Sequence, residues 1–136
     1  MRQTFTNRER LKSRKLIQQL FAEGRSLTAF PVKLIYLPAD HDSSFKIQAG
    51  VSVSKRNFKK AVQRNRIKRL IREAYRKNKE LLYVSEHTKK HIFMFIYQGN
   101  RELEYQVIEE KMKELLQAFL RKQERNERNE EDCEKI

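Results

Sequence analysis

The stretch Ile47-Gln48-Ala49-Gly50-Val51-Ser52-Val53-Ser54 is followed, after a short basic link, by Ala61-Val62-Gln63-Arg64-Asn65-Arg66-Ile67-Lys68-Arg69-Leu70-Ile71-Arg72-Glu73-Ala74-Tyr75. Across that link the apolar period changes from two residues to ~3.6, the signature of a strand running into a helix. On the strand, which begins at Phe45, Phe45, Ile47, Ala49, Val51 and Val53 point one way, and Lys46, Gln48, Gly50, Ser52 and Ser54 point the other. One sheet face is therefore buried, and the opposite face is wet and lined by small side chains. On the helix, expected over residues 59–79, Ile67, Leu70, Ile71 and Ala74 converge on one side, whereas Asn65, Arg69, Arg72 and Arg76 fall on the other.

The charge on that outer side is the most informative feature of the chain. Between Lys55 and Lys79 there are twelve cations and one acid, Glu73. A solvated helix face normally mixes signs, because like charges four residues apart destabilise a helix by roughly 0.2–0.5 kcal/mol per pair. Lys68 with Arg72, and Arg72 with Arg76, are such pairs. A repulsive stripe without local compensation implies an external anion, and arginine, which predominates along it, matches phosphate oxygens with a planar fork. A face that merely confers solubility is the alternative.

Working outward, a helix over residues 13–23 is expected, with Ser13 as N-cap, Leu16, Ile17, Leu20 and Phe21 as its apolar stripe, and Gly24 at the C′ position. Residues 30–37 read as a strand bracketed by Pro31 and Pro38, and residues 39–44 as a polar turn. A polar connection over 85–90 leads to a strand over 91–97 that is apolar on both faces, which suits a central position in a sheet. Asn100 is a candidate cap for a last helix carrying Leu103, Val107, Ile108, Met112, Leu115, Leu116, Phe119 and Leu120 at helical spacing. The expected order is α-β-β-α-β-α, an α+β domain over residues 13–123. A mobile basic segment over 1–12 precedes it, and an acidic, unstructured tail over 124–136 follows.

The chain has 136 residues, enough for one core, and carries a net charge of +13. From Glu124 onward six acids face three bases, so the remainder carries +16. Such a surplus attracts polyanions, with nucleic acid the expected partner ahead of an anionic membrane. The single cysteine, Cys133, cannot form an intramolecular disulfide, and no apolar run is long enough to span a bilayer. A cytoplasmic, membrane-free protein is expected. His41, His87 and His91 are scattered over a turn, a linker and a strand start, and the acids concentrate in the last helix and the tail. No catalytic or metal-ligating constellation is visible, nor a phosphate-cradling loop, so any chemistry belongs to a partner.

The run Gly50 to Arg56, followed by Ala61 to Tyr75 with its Arg64-Asn65-Arg66 core, resembles the strand and "RNR" helix of the bacterial ribonuclease P protein family. The likeness extends more loosely over residues 10–121. It implies a two-layer α+β sandwich like the second domain of ribosomal protein S5, with an uncommon left-handed crossover through the RNR helix. It also implies a non-catalytic subunit of an endoribonuclease, monomeric without RNA, whose partners are ribonuclease P RNA and precursor tRNA. No cofactor is expected on the protein; Mg²⁺ is expected in the RNA–protein holoenzyme. Arg64, Asn65, Arg66, Lys68, Arg69 and Arg72 would contact the catalytic RNA, with Lys55, Arg56 and Arg76 in the same basic cluster. The cleft between the first helix and the open sheet face would hold the single-stranded 5′ leader. Its candidate lining is Gln48, Ser52 and Ser54 on the wet strand face, Phe21 as a stacking platform with Ile17 beside it, and Lys33 and Ile35 on the first strand. The rival readings are a structural RNA-binding protein such as a ribosomal component, and, more weakly, a DNA-binding regulator, since the strand before the basic helix is no helix-turn-helix partner.

Overall fold

A computed structural model describes residues 9–39, 47–84 and 90–134. The elements are α1 (Arg14–Glu23), β1 (Arg25–Ala29), β2 (Val32–Pro38), β3 (Ile47–Val53), α2 (Ala61–Asn78), α3 (Glu80–Val84), β4 (His91–Tyr97) and α4 (Tyr105–Glu134). The strands form one mixed sheet in the order β1-β2-β4-β3. β2 pairs antiparallel with β1 and β4, and β3 pairs parallel with β4, so α2 lies within a βαβ crossover. The chain is α+β, as its periodicities require. The expected turn over 40–44, the strand start at Phe45 and Lys46, His41, His87, most of the connection before β4, residues 1–8 and the Cys133 side chain lie outside the described residues.

β4 occupies the centre of the sheet because its side chains are apolar on both faces. On one face Phe93, Phe95 and Tyr97 join Val32, Leu34 and Tyr36 of β2 and Ile47, Ala49 and Val53 of β3. This face packs against Ile67, Ile71, Ala74 and Tyr75 of α2 and against Ile108, Met112, Leu115, Leu116 and Phe119 of α4. Each buried Val, Leu, Ile, Phe or Met side chain among these contributes ~1.5–3 kcal/mol relative to exposure. The sheet and the α2/α4 pair are the two expected layers. On the opposite face Ile92 and Met94 meet Leu20 of α1 and Leu11, with Ile17 and Ile35 at the margin. α1 therefore covers only part of that second face.

Several features differ from the sequence expectation: α3 was not anticipated, and α4 starts at Tyr105 rather than just after Asn100. β1 was not anticipated, because Arg25-Ser26-Leu27-Thr28-Ala29 is an edge strand with a single large apolar residue and no buried position. Gly24 closes α1 with its N–H donating to the Leu20 carbonyl at 2.8 Å, but in extended rather than left-handed backbone. Glycine is needed there for close approach: a Cβ would lie 2.7 Å from Cγ2 of Ile35 and press on the Leu20 carbonyl. Residues 9–11 are docked rather than mobile: Arg10 bridges Ala49 in parallel, the Leu11 N–H donates to the Ala49 carbonyl at 3.0 Å, and Glu9 is buried. The backbone of α4 continues to Glu134, past Lys122 where the apolar stripe ends. Its Glu, Arg and Gln residues are good helix formers.

Candidate nucleic-acid interface

α2 begins without a side-chain cap, since its N-cap is Lys60. The link before it is fixed instead by Arg64, whose Nη1 donates to the carbonyls of Phe58 at 2.8 Å and Lys59 at 2.9 Å. Phe58 is buried, its ring 5.9 Å from that of Tyr97, so Arg64 ties the entrance of the basic helix to the core. This structural task was invisible in the sequence, where Arg64 read only as part of the RNA-facing set.

The outward stripe divides into neutralised and open groups. Arg66 Nη1 lies 3.1 Å from Oε2 of Glu102, and Arg76 Nε donates to Glu73 at 3.1 Å. Lys77 sits 4.0 Å from the same Glu73 and 5.3 Å from the centre of the Tyr105 ring. Hydrogen bonding to Arg76, then its charge and that of Lys77, hold the Glu73 carboxyl below the usual carboxylate range. The expected repulsion at Arg76 is thus relieved within the helix. Lys55, Arg56, Lys68, Arg69 and Arg72 have no carboxylate partner among the described residues. Asn65 and Arg69 are exposed, whereas Lys68 and Arg72 are half-buried.

Arg72 turns toward the outer edge of β3, where Arg10 bridges Ala49. Burial, and then the neighbouring charge of Arg10, lower its pKa from the ordinary guanidinium value. With Arg10 and Lys12 it lines an open cleft of about 310 Å³ whose floor includes Ile17, Gly50, Val51 and Met94. Gly50 keeps that floor low, since a Cβ would lie 3.0 Å from Cε of Met94.

The pairing register places the proposed leader face. Lys33, Ile96 and Ser52 form one row across β2, β4 and β3; Ile35, Met94 and Gly50 form the next; and Leu37, Ile92 and Gln48 a third. Lys33, Ile35, Gln48 and Ser52 therefore share the face on which α1 lies, with Ile17 packed at its edge. Phe21 is 52% exposed, which removes it from the core and leaves its ring available. Ser54 stands apart: its hydroxyl accepts from the Arg56 N–H at 3.1 Å in the turn after β3. Sequence reasoning missed Arg10, Lys12, Gly50 and Met94 as cleft lining. The basic alternation Arg10-Leu11-Lys12 beside a glycine on the small-residue strand face was the only local signal.

Among the described residues no three His, Cys, Asp or Glu side chains gather as a metal site, and no helix is long and apolar enough to cross a membrane.

Comparison with known proteins follows the same lines. The family model described as Ribonuclease P matches residues 5–120. A "Ribonuclease P protein component" of Porphyromonas gingivalis is 45% identical over 75 residues, 54% of each chain. The protein of that name from Thermotoga maritima is 38% identical over 82 residues, 60% of this chain and 67% of the relative. The matched stretch thus spans about half to two thirds of these relatives' length. Among solved structures, the ribonuclease P protein from Thermotoga maritima superposes with a TM-score of 0.64 at 26% identity, covering 79% of this chain and 94% of that one. The Staphylococcus aureus ribonuclease P protein, with a TM-score of 0.62 at 24% identity over 81% of this chain and 94% of that one, shares the fold.

Proposed function

Since the chain belongs to the ribonuclease P protein family, we propose that it is the protein subunit of a ribonucleoprotein that removes 5′ leaders from precursor tRNA. The exposed cations of α2 hold the catalytic RNA, and the sheet face beside α1 holds the single-stranded leader. The RNA subunit, with Mg²⁺, performs phosphodiester hydrolysis. The protein contributes binding energy and screens repulsion between two polyanions, acting in the bacterial cytoplasm as a monomer until RNA is bound.

The observation that carries this reading is the open part of the basic cluster, Lys55, Arg56, Lys68, Arg69 and Arg72, which no described carboxylate neutralises. In a chain of net charge +13, such a set gains most from a phosphate backbone, by release of condensed counterions. Arg66 joins it by exchanging Glu102 for phosphate, an inexpensive exchange because its side chain is 60% exposed. Single-strand binding is supported by Phe21, an exposed aromatic on α1, the helix that lies on the sheet face carrying Lys33.

The test is reconstitution. Mixed with a ribonuclease P RNA at low Mg²⁺, the chain is expected to raise precursor cleavage well above that of the RNA alone. No gain, with binding to ribosomal RNA fragments instead, would replace this reading with that of a structural RNA-binding protein.

A further inference from the structure

The tip of the β1–β2 hairpin, Phe30-Pro31, lies at the end of the sheet from which the basic link to α2 departs. The pairing register fixes this, because Val32 of β2 and Val53 of β3 both pair with Tyr97 of β4. The hairpin tip, the residues after Tyr97 and the link after Val53 therefore leave the sheet side by side. Hydrogen bonds tie the three together. The Gln98 N–H donates to the Pro31 carbonyl at 2.7 Å, the Asn57 amide to the Gly99 carbonyl at 3.4 Å, and the Tyr97 hydroxyl to the Arg101 carbonyl. Gly99 is needed for this close approach, since a Cβ there would lie 3.1 Å from Cβ of Pro31 and 3.1 Å from Cε1 of Tyr97.

On this fixed platform Pro31 is buried, whereas Phe30 is 66% exposed, more than Phe21 at 52%. A two-residue hairpin loop is favoured by Gly, Asn or Asp, and its backbone has no use for a phenyl ring. The ring is surrounded by a positive end of the molecule. Lys55 and Arg56 in the link and Arg101 in the loop after β4 are exposed and have no carboxylate partner among the described residues. Of the two acids in that loop, Glu102 is engaged by Arg66 at 3.1 Å, and Glu104 stands at the foot of α4.

We propose that this end of the sheet is a second contact with the catalytic RNA: an unpaired nucleotide stacks on Phe30, and Lys55, Arg56 and Arg101 hold the flanking phosphates. Base stacking on an aromatic ring beside cations is how proteins grip unpaired RNA. Charge favours RNA over a protein partner, because the centre of a protein interface is depleted of charged side chains. Lys55 and Arg56 also belong to the cluster assigned to the catalytic RNA, so the hairpin tip extends that surface. Phe30 and Arg101 lie outside the face assigned to the leader. The two strands and the bonds to Pro31 and Gly99 hold the platform in place, so little ordering cost falls on binding. This proposal rests on the reading of the chain as the protein subunit of ribonuclease P.

The experiment measures binding of the full chain to a ribonuclease P RNA over a range of salt, for wild type, Phe30→Ala, Phe30→Tyr and Arg101→Gln, with thermal melts of each free protein. Phe30→Ala is expected to bind roughly fivefold or more weakly, with unchanged melting, and Phe30→Tyr to keep wild-type affinity. Arg101→Gln is expected to flatten the salt slope by about 0.7–0.9. A photoreactive phenylalanine analogue at position 30 is expected to cross-link to the catalytic RNA. Wild-type affinity in both Phe30→Ala and Arg101→Gln would overturn the hairpin contact while leaving RNA binding by α2 intact. Cross-linking to a second copy of the chain, or to precursor tRNA alone, would also overturn it. Failure of the wild-type chain to bind ribonuclease P RNA would overturn the subunit reading and this contact together.

Discussion

Lys79, at the C-terminal cap of α2, places its ammonium 2.6 Å from the carboxylate of Glu9, and both side chains are almost wholly withdrawn from solvent. The contact joins residues 70 positions apart. It pins the N-terminal segment to the C-terminal end of α2.

Breaking such a pair by removing one partner leaves a buried charge, which costs about 3–5 kcal/mol, whereas replacing both with apolar groups of similar volume is close to neutral. Glu9→Ala or Lys79→Ala is therefore expected to lower the urea midpoint strongly, and Glu9→Leu with Lys79→Met to recover most of the loss. Equal stability of the single variants and wild type would show that the segment is not anchored by this contact.

Arg64 and Arg69, five residues apart on one helix, are expected to separate in behaviour. Arg64→Ala releases two hydrogen bonds to the Phe58 and Lys59 carbonyls and should cost about 1 kcal/mol of stability, discounted for partial exposure. Arg69→Ala should leave thermal unfolding unchanged and weaken RNA binding. Thermal melts of the free protein decide this; unchanged melting of Arg64→Ala would deny it the structural role.

Phe21 is expected to affect substrate without affecting folding. Stacking on an exposed ring contributes ~1–3 kcal/mol per base, so Phe21→Ala should weaken leader-bearing precursor at least fivefold and leave both mature tRNA affinity and thermal stability unchanged. Equal losses for both substrates would contradict a leader contact.

The Glu73–Arg76 contact predicts an acid-side dependence. Folding holds the Glu73 carboxyl below its ordinary range, chiefly by its hydrogen bond to Arg76. The unfolded chain therefore binds the proton more readily, so the contact stabilises above the ordinary carboxylate pKa, and that contribution disappears as pH falls through the depressed folded value. The effect is small, because both side chains are substantially exposed. In denaturant titrations between pH 7 and pH 3, Arg76→Gln is expected to narrow its stability deficit toward the acid end. A constant deficit across that range would rule the linkage out.

The sequence carried most of the fold because its strongest signals are local. The alternation of Ile47, Ala49, Val51 and Val53, the doubly apolar β4 and the stripe of Ile67, Ile71 and Ala74 each name a buried face without knowledge of the partner. β1 escaped because an edge strand need bury little, and Leu27 alone makes no period. The docking of Glu9 and Leu11 escaped for a different reason: one leucine in a basic run has no periodicity, and its partner surfaces lie on β3 and at the end of α2. The site was legible as composition and face but not as division of labour. That Arg64 ties down backbone, that Arg66 meets Glu102, that Arg76 meets Glu73 and that Arg72 leans into a cleft are facts of tertiary placement. Only Glu73, three residues before Arg76, was readable as a neutralising neighbour, since residues at that spacing share a helix face.

Lys68 and Arg69 are proposed to meet phosphates of the catalytic RNA. The most direct test of this contact is the salt dependence of ribonuclease P RNA binding by wild type and by Lys68→Ala with Arg69→Ala. The slope of log affinity against log salt should flatten by about 0.7–0.9 per lost phosphate contact, with weaker binding at every salt concentration. An unchanged slope at unchanged affinity would contradict it.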